Sequence, residues 1–192
     1  GSATHHIAIK PTSGGDNPGT TNLVGAWELD ETSGNAIDSK GSNNLTDTNT
    51  VGSTTGVISN ARDFVAANSE YFQSTTMPIT GTVARTSEVW FKTSDTATQY
   101  IYAWGNDNGG NNGAAWRLSI EAGTLRCRVY GGAAKFGGSW ADGSWHHAVI
   151  QVKASGVVTD IELYVDGVSQ TQTGGNSTAI NTNDGSGTDY FR

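Results

Sequence analysis

Alternation of apolar and polar residues from Ala115 to Tyr130 constrains the fold of this chain more than any other feature. The alternation runs up to Ala122-Gly123 and resumes directly after it. A period of two is that of a β-strand with one buried face, and a two-residue break containing glycine is typical of a hairpin loop. The predicted buried pairs are Ile120 with Leu125, Leu118 with Cys127 and Trp116 with Val129, and the predicted outer pairs are Arg117 with Arg128 and Ser119 with Arg126.

A second hairpin is predicted around Asp166-Gly167, a strong short-range turn signal. It would join 161–165 to 168–171, with Ile161, Leu163 and Val165 on the buried face. Further strands are predicted at 23–28, 61–65, 71–74, 86–93, 99–104 and 145–153. The last of these carries apolar residues on both faces, so we expect it to be a central strand covered on both sides.

Composition supports an all-β domain. The chain has 26 glycines, only three prolines and 35% apolar residues, which suits short strands joined by tight turns, and no segment shows a sustained helical period. Residues 1–22 are interpreted as a tail or linker, in which Gly1-Ser2 resembles a protease-cleavage scar and 6–10 is a short possible strand. We expect one domain over 23–192.

The net charge and the lack of a long apolar run argue against nucleic acid and membranes as partners. The net charge of -7 predicts repulsion from nucleic acid and from anionic membrane surfaces. The sequence has no apolar run long enough for a transmembrane helix. The single Cys127 cannot form a disulfide within the chain, and its place on the buried face of the first hairpin predicts an inert thiol.

Six motifs together resemble the laminin-G-like (LamG-type) concanavalin A-like lectin/glucanase domains of secreted bacterial and phage proteins. The resemblance implies a two-sheet antiparallel β-sandwich of the jelly-roll type. In the family's order, the matching segments are Leu23–Glu31 with Ser33-Gly34, Asp38–Asn44, Asn60–Phe64, Glu88–Lys92, Asp142–Val149 and Leu163–Gly167.

The resemblance also implies one more strand beyond Arg192, carrying an acidic pair. We therefore expect the domain to lack its last strand. An unpaired sheet edge attracts another strand and offers a route to self-association. Our hypothesis is that His6 to Lys10, from this copy or a neighbouring one, fills that edge.

An enzymatic role is not expected. Related jelly-roll glucanases share a Glu-x-Asp-x-x-Glu strand, because retaining hydrolysis needs two closely spaced carboxylates. The nearest match begins at Glu28 and Asp30, but Ser33 stands where the third carboxylate would be. His146 and His147 are adjacent on a predicted strand, so they should point to opposite faces and cannot act as one unit.

A calcium site is one of two interpretations of Asp38–Asn44. Carboxylate, amide and loop carbonyl oxygens are ligands that calcium prefers. The resemblance implies a structural calcium ion held by Asp38 and by the carbonyls near Gly41 and Asn43, with a partner carboxylate in the missing strand. The alternative is an Asx and glycine turn that needs no ion.

A ligand surface is predicted at the polar loop that follows Trp104. An aromatic face with neighbouring amide and carboxylate groups is the chemistry that binds sugars. Trp104 or Trp140, with Asn106, Asp107 and Asn108, would form such a glycan site. The alternative is a solvated loop, with Trp104 completing the core.

The three arginines of the first hairpin suggest a second ligand surface. Arg117, Arg126 and Arg128 share the outer face, where opposed like charges are unfavourable. Either acids from a neighbouring strand compensate them, with Glu88 as the candidate, or the face binds a carboxylated or sulfated polysaccharide.

Taken together, the sequence predicts a non-catalytic carbohydrate-recognition or adhesion module of a larger extracellular, cell-surface or virion protein. The alternative from another class is a structural or assembly domain without its own ligand, such as a spacer of a surface or tail fibre. A glycoside hydrolase is the third interpretation, and it lacks the required pair of carboxylates.

Overall fold

Two antiparallel sheets contain most of the strands in the computed structural model, which describes residues 4–8 (backbone only), 23–76, 79–106 and 113–182. The only helical segments in these ranges are the short 3-10 turns Ala66–Asn68 and Val158–Asp160. None of the described helices has the length and apolar character needed to cross a membrane. The prediction of an all-β, concanavalin A-like sandwich is confirmed.

The strands are numbered in chain order. They are β1 (Thr4–Ala8), β2 (Thr46–Thr48), β3 (Gly52–Thr55), β4 (Asn60–Val65), β5 (Tyr71–Gln73), β6 (Arg85–Lys92), β7 (Gln99–Gly105), β8 (Ala115–Glu121), β9 (Thr124–Val129), β10 (Gly132–Phe136), β11 (Trp145–Val152), β12 (Glu162–Val165), β13 (Val168–Gln170) and β14 (Gln172–Gly174). The larger sheet has the order β13-β12-β11-β6-β1-β4-β3, and the smaller has the order β14-β10-β9-β8-β7. Strands β2 and β5 form a separate pair.

Alternate residues of the two sheets form one buried core. Strands β8 and β9 supply one side of it, and β6, β11 and β12 supply the other, because every second side chain of a strand points to the same face. The principal members are Trp116, Leu118, Ile120, Leu125, Cys127, Val89, Phe91, Ala148, Ile150, Leu163 and Val165. Trp27 is buried as well, whereas Trp90 and Trp145 are half-buried.

A small polar contact also joins the two sheets. The Trp116 indole N–H on β8 donates to the Ser87 hydroxyl on β6, and that hydroxyl also hydrogen-bonds the buried Tyr102 on β7. The Arg85 guanidinium lies 5.6 Å from the centre of a Trp116 ring. These contacts satisfy the polar ends of two large aromatic side chains that the core buries.

Both predicted hairpins are present. Strands β8 and β9 pair in the predicted register, with Ile120 opposite Leu125 and Arg117 opposite Arg128. Ala122 and Gly123 both have positive φ, as do Asp166 and Gly167 of the second hairpin. Positive φ at both loop positions is the geometry of a type I′ turn, whose twist matches the flanking strands.

Two predictions about strands need correction, and four strands were not predicted. Residues 23–28 form only an isolated bridge, at Trp27 with Asp38, because the Asp38 side chain accepts the Ala26 N–H that a partner strand would otherwise bind. Strand β11 is central, but its outer face is only half-buried rather than covered. Four short strands rich in small or polar residues, β2, β3, β10 and β14, were not predicted.

The N-terminal strand lies inside the larger sheet, not at its edge. β1 pairs with β4 on one side and with β6 on the other. The prediction of a strand in this segment is confirmed, with the bounds 4–8 in place of 6–10, and the hypothesis that it takes the place of a missing last strand stays a prediction. The last two residues of the predicted segment, Ile9 and Lys10, are outside the described residues, and the limits of the domain stay a prediction.

Arg62 on β4 is a buried charge that organises the loops beside the larger sheet. Its guanidinium donates to the carbonyls of Val51 and Gly52, at 2.7 and 3.1 Å. It also lies 3.5 Å from an Asp47 carboxylate oxygen and 4.8 Å from the Phe72 ring centre. A fully buried arginine is tolerated because these groups compensate the loss of water.

We expect Arg62→Ala to lower the free energy of unfolding by about 3–5 kcal/mol, because it leaves buried acceptors and Asp47 without their cation. Urea unfolding followed by tryptophan fluorescence measures the change. Lys153→Ala is the control, since the Lys153 side chain is 70% exposed in its ion pair and should contribute little. Equal stability losses in the two variants would contradict the role assigned to Arg62.

Candidate functional site: the arginine face of the smaller sheet

The outer side of the smaller sheet carries a cluster of basic side chains. We call Arg117, Arg126 and Arg128 the arginine face. Arg117 pairs directly with Arg128 across β8 and β9, and Ser119 pairs with Arg126, as predicted. The residues between them, such as Leu118 and Cys127, point into the core, so alternation directs all three arginines away from it.

Glu121, at the end of β8, is the acid that joins two of these arginines. One of its carboxylate oxygens lies 2.7 Å from an Arg126 guanidinium nitrogen, and Arg128 donates to both of its oxygens. The Ser119 hydroxyl donates to the same carboxylate at 3.1 Å. A guanidinium binding both oxygens of a carboxylate is among the stronger ion pairs in proteins.

Glu88, the predicted partner of the arginines, is not that acid. It lies on β6 in the larger sheet, where a carboxylate oxygen approaches the His147 ring nitrogen at 3.7 Å. The prediction named an acid from a neighbouring strand, whereas Glu121 ends the same strand that carries Arg117. Period two already places Glu121 on the arginine face.

An open groove of about 460 Å³ lies beside the arginine face. Arg117 and Arg128 line it together with Tyr100, Tyr130 and the backbone of Gly131-Gly132. Tyr100 is 54% exposed, and the Arg117 guanidinium carbon lies 5.6 Å from the centre of its ring. The groove therefore combines an exposed aromatic ring with two guanidinium groups.

Sequence reasoning missed Tyr100 because β7 departs from strict alternation. Its pairing with β8 shifts register between Tyr100 and Tyr102, and both Ile101 and Tyr102 are buried. A bulge of this kind changes which side chains face outward, and period-two reasoning cannot anticipate it. No simple sequence signal would have revealed the exposure of Tyr100.

Residues 176–178, near the end of the described residues, contact the part of the groove formed by Gly131 and Gly132. The Gly131 carbonyl accepts hydrogen bonds from the Asn176 amide and the Thr178 hydroxyl, at 3.0 and 3.2 Å. A side chain at Gly132 would place its Cβ 2.5 Å from the Asn176 oxygen. Glycine at 132 thus lets this segment close over the turn between β9 and β10.

Of the predicted loop site, the structure describes Trp104, Asn106 and Trp140. Trp104 is 4% exposed and its indole N–H donates to the Ile79 carbonyl, so it completes the core, which was the alternative interpretation. Asn106 is half-buried and bonds Ala114 through its backbone. Asp107 and Asn108 are outside the described residues.

Trp140 lies at the other end of the hairpin from the groove. Its backbone N–H donates to Gly123 in the β8–β9 turn, and its ring packs edge-on against His146 with centres 5.2 Å apart. The indole N–H donates to the Gly137 carbonyl. Trp140 is half-buried and is not among the residues that line the groove.

The two adjacent histidines point to opposite faces of β11, as expected. His146 is buried, and its two ring nitrogens lie 2.8 Å from Asp166 and 3.2 Å from Asp142. His147 stacks on Trp90 at a centre distance of 5.0 Å on the outer side. The His146 contacts anchor the second hairpin to β11, and they account for the Trp-His-His motif as a structural element.

Asp38 is the centre of a turn held by backbone N–H groups. Its oxygens accept hydrogen bonds from Ala26, Lys40 and Asn43, at 3.0–3.1 Å, and from Gly41. Burial alone would raise the pKa of Asp38, but these four donors hold it below its ordinary value. The carbonyl of Asn43 accepts the Trp27 indole N–H at 2.9 Å.

The N–H contacts of Asp38 leave little of its carboxylate available to a calcium ion. A carboxylate offers about four lone-pair sites, and the four N–H groups use them, whereas calcium requires six to eight oxygens of its own. Within the described ranges, no group of three or more acidic, histidine or cysteine side chains is arranged to hold a metal. The contacts favour the turn without an ion, and calcium stays an untested prediction.

The acidic segment that resembles a catalytic strand is occupied by structural contacts. One Glu31 oxygen accepts the Ile37 N–H at 2.8 Å, and the other lies 3.9 Å from the Arg62 guanidinium. Leu29 within the segment has positive φ, so the segment does not continue as a strand. No carboxylate is among the described residues that line the groove.

A family model of laminin G type, described as the concanavalin A-like lectin/glucanases superfamily, matches residues 66–189. The match spans more than half of the chain, and the chain belongs to this superfamily. The resemblance drawn from the six motifs is thereby confirmed. None of the curated proteins compared with the chain matches it significantly. Because the superfamily contains lectins and glycosidases, membership alone does not decide between binding and catalysis.

The contact between Glu121 and the arginines predicts a dependence of stability on pH. Hydrogen bonding from Arg128 is the main reason that the pKa of Glu121 lies below its ordinary value. A lowered pKa means that the stability contributed by Glu121 is present above the ordinary glutamate pKa. This contribution is lost as the pH falls through the pKa of Glu121 in the folded state. The melting temperature of Glu121→Gln should therefore fall less between pH 7 and about pH 3 than that of the wild type. Parallel losses in the two proteins would contradict this assignment.

The turn around Asp38 gives a further prediction. We expect Asp38→Asn to lower the free energy of unfolding by about 1–3 kcal/mol, because the amide presents a donor to N–H groups that need an acceptor. Melting in millimolar calcium and in chelator should give the same midpoint for the wild type. Asp160→Asn is the control, since the Asp160 carboxylate accepts the N–H of Val157 at a half-buried turn. A clear rise of the wild-type melting midpoint in calcium would show that calcium binds despite the N–H contacts of Asp38.

Proposed function

We propose that this domain is a non-catalytic carbohydrate-recognition or adhesion module of a larger extracellular, cell-surface or virion protein. The observation that carries the proposal is the groove beside the arginine face. Its exposed Tyr100 ring offers an apolar surface to a sugar ring, and the guanidinium groups of Arg117 and Arg128 offer donors to its oxygens. Membership of the lectin/glucanase superfamily supports carbohydrate as the ligand class.

Binding without catalysis is favoured by the chemistry of the groove. Glycoside hydrolysis generally uses two carboxyl groups on either side of the scissile bond. Among the described residues, those lining the groove contribute none, and Glu121, on the same face of the sheet, is engaged by Arg126 and Arg128. A carboxylate held in this way is a poor proton donor, because the arginines favour its charged form.

An assembly role is the second candidate, and one observation favours it. Strand β13 is at the edge of the larger sheet, and Val168 at its start is 62% exposed. An exposed edge with an apolar side chain invites pairing with another strand. Sedimentation of the wild type across a concentration series, in parallel with Val168→Lys, distinguishes assembly at this edge from a monomeric binding module.

A glycan array tests the proposed function. We expect the wild type to bind with and without calcium, and Tyr100→Ala to bind at least about tenfold more weakly, a loss of about 1.4 kcal/mol. Tyr164→Ala is the matched control, because Tyr164 is a half-buried tyrosine of the larger sheet that contacts Glu162. Circular dichroism confirms that both variants fold.

Two results would count against this assignment. If no glycan binds the wild type in either condition, the domain is not a carbohydrate-recognition module and the assembly role is preferred. If binding survives Tyr100→Ala and is lost in Trp90→Ala, the ligand lies on the larger sheet, where Trp90 stacks with His147.

A further inference from the structure

Two tyrosines on different strands line the groove beside the arginine face. Tyr100 lies on β7, and Tyr130 directly follows the last residue of β9. Val129 is buried, so alternation turns the Tyr130 side chain outward, and Tyr100 is 54% exposed. Arg117 and Arg128 line the same groove. It therefore offers two aromatic rings to a ligand as well as two guanidinium groups.

The register of the strands gives the order of these four residues along the groove. Tyr100 is opposite Ser119 on β8, and Ser119 lies two residues along that strand from Arg117. Arg117 is opposite Arg128 on β9, and Tyr130 lies two residues beyond Arg128. Because β8 and β9 are antiparallel, the step from Arg128 to Tyr130 leads away from Ser119. The four residues thus follow a diagonal across the sheet, with the arginines between the tyrosines.

Sheet geometry gives the length of this diagonal. Neighbouring strands lie about 4.8 Å apart, and each residue advances about 3.4 Å along its strand. The path from Tyr100 to Tyr130 crosses two strand spacings and four residues, so their Cα atoms are roughly 17 Å apart. One pyranose unit lengthens an extended glycan by about one strand spacing. The two tyrosines are therefore separated by about the distance between the first and the fourth ring of such a chain.

The turn that carries Tyr130 is fixed by hydrogen bonds to other parts of the chain. The Tyr130 carbonyl accepts the Gly113 N–H at 2.7 Å. The next carbonyl, that of Gly131, accepts the Asn176 amide and the Thr178 hydroxyl. The spacing of the two tyrosines is thus set by the fold before a ligand binds. A preformed site favours the ligand that matches it, because binding does not have to order the site.

We propose that the groove binds a stretch of about four units of a linear glycan, with its first ring against Tyr100 and its fourth against Tyr130. Arg117 and Arg128 then contact oxygens of the two middle rings. An aromatic face binds the C–H surface of a sugar, and guanidinium N–H groups donate to its hydroxyl oxygens. This inference rests on the proposed function and adds the class and length of the ligand.

Series of oligosaccharides of increasing length test the inference with the full chain. Cello-oligosaccharides, chito-oligosaccharides and oligogalacturonates, from disaccharide to hexasaccharide, are titrated by calorimetry. In any series that binds, we expect the tetrasaccharide to bind at least about fivefold more tightly than the disaccharide, because only the longer chain reaches both tyrosines. The affinity should rise little further up to the hexasaccharide.

Variants assign the length dependence to the two tyrosines. Tyr130→Ala should bind the tetrasaccharide about as weakly as the disaccharide, because only the Tyr100 ring remains. Its affinity for the disaccharide should change less, whereas a damaged fold would weaken binding of every length alike. Tyr130→Phe keeps the ring and should restore the length dependence. Tyr164→Ala is the control on the larger sheet and should leave the length dependence unchanged.

The outcomes separate this inference from the proposed function. Full affinity at the disaccharide, or a steep rise beyond the tetrasaccharide, overturns the inference and leaves carbohydrate recognition in place. A length dependence that persists in Tyr130→Ala also overturns it, because the glycan then follows another path. If the glycan array identifies a different linear glycan, the same criteria apply to its length series, and binding of branched glycans alone overturns the inference. Failure of every series and of the array overturns the proposed function itself.

Discussion

Burial of one face of each sheet against the other is the constraint on which the rest of the structure depends. Trp116, Leu118 and Ile120 are fully buried only because β6 and β11 present Val89 and Ile150 to the same core. Each strand must then turn its remaining side chains outward. The arginine face is a direct consequence, because the register that buries Leu118 opposite Cys127 also sets Arg117 opposite Arg128.

Those parts of the fold in which local signals and burial agree could be predicted from the sequence. The β8–β9 and β12–β13 hairpins combine strict alternation with a glycine-containing loop, and both were predicted with the correct turn. The short strands β3 and β14 have no apolar alternation, since they are held by their neighbours rather than by burial. The interior position of β1 depends on pairing with β4 and β6, which are distant in sequence, so local patterns could not reveal it.

The candidate site shows the same division. Its arginines and their pairing followed from period two, whereas Tyr100 depends on a bulge and was missed. The sequence left Trp104 either in a glycan site or in the core. The tertiary packing that buries it cannot be deduced from a loop sequence. Glu88 was assigned to the wrong sheet because strand order cannot be deduced from strand composition.

The position of Glu121 affects how much side-chain entropy is lost when a partner binds the arginine face. Long arginine side chains lose rotamer freedom when a ligand immobilises them, at roughly 0.5–1.5 kcal/mol for each side chain. Glu121 already restrains Arg126 and Arg128 in the folded protein, and Ser119 restrains Glu121. The ordering of these two arginines is therefore completed during folding, so a partner that contacts them meets a surface already set in its bound arrangement.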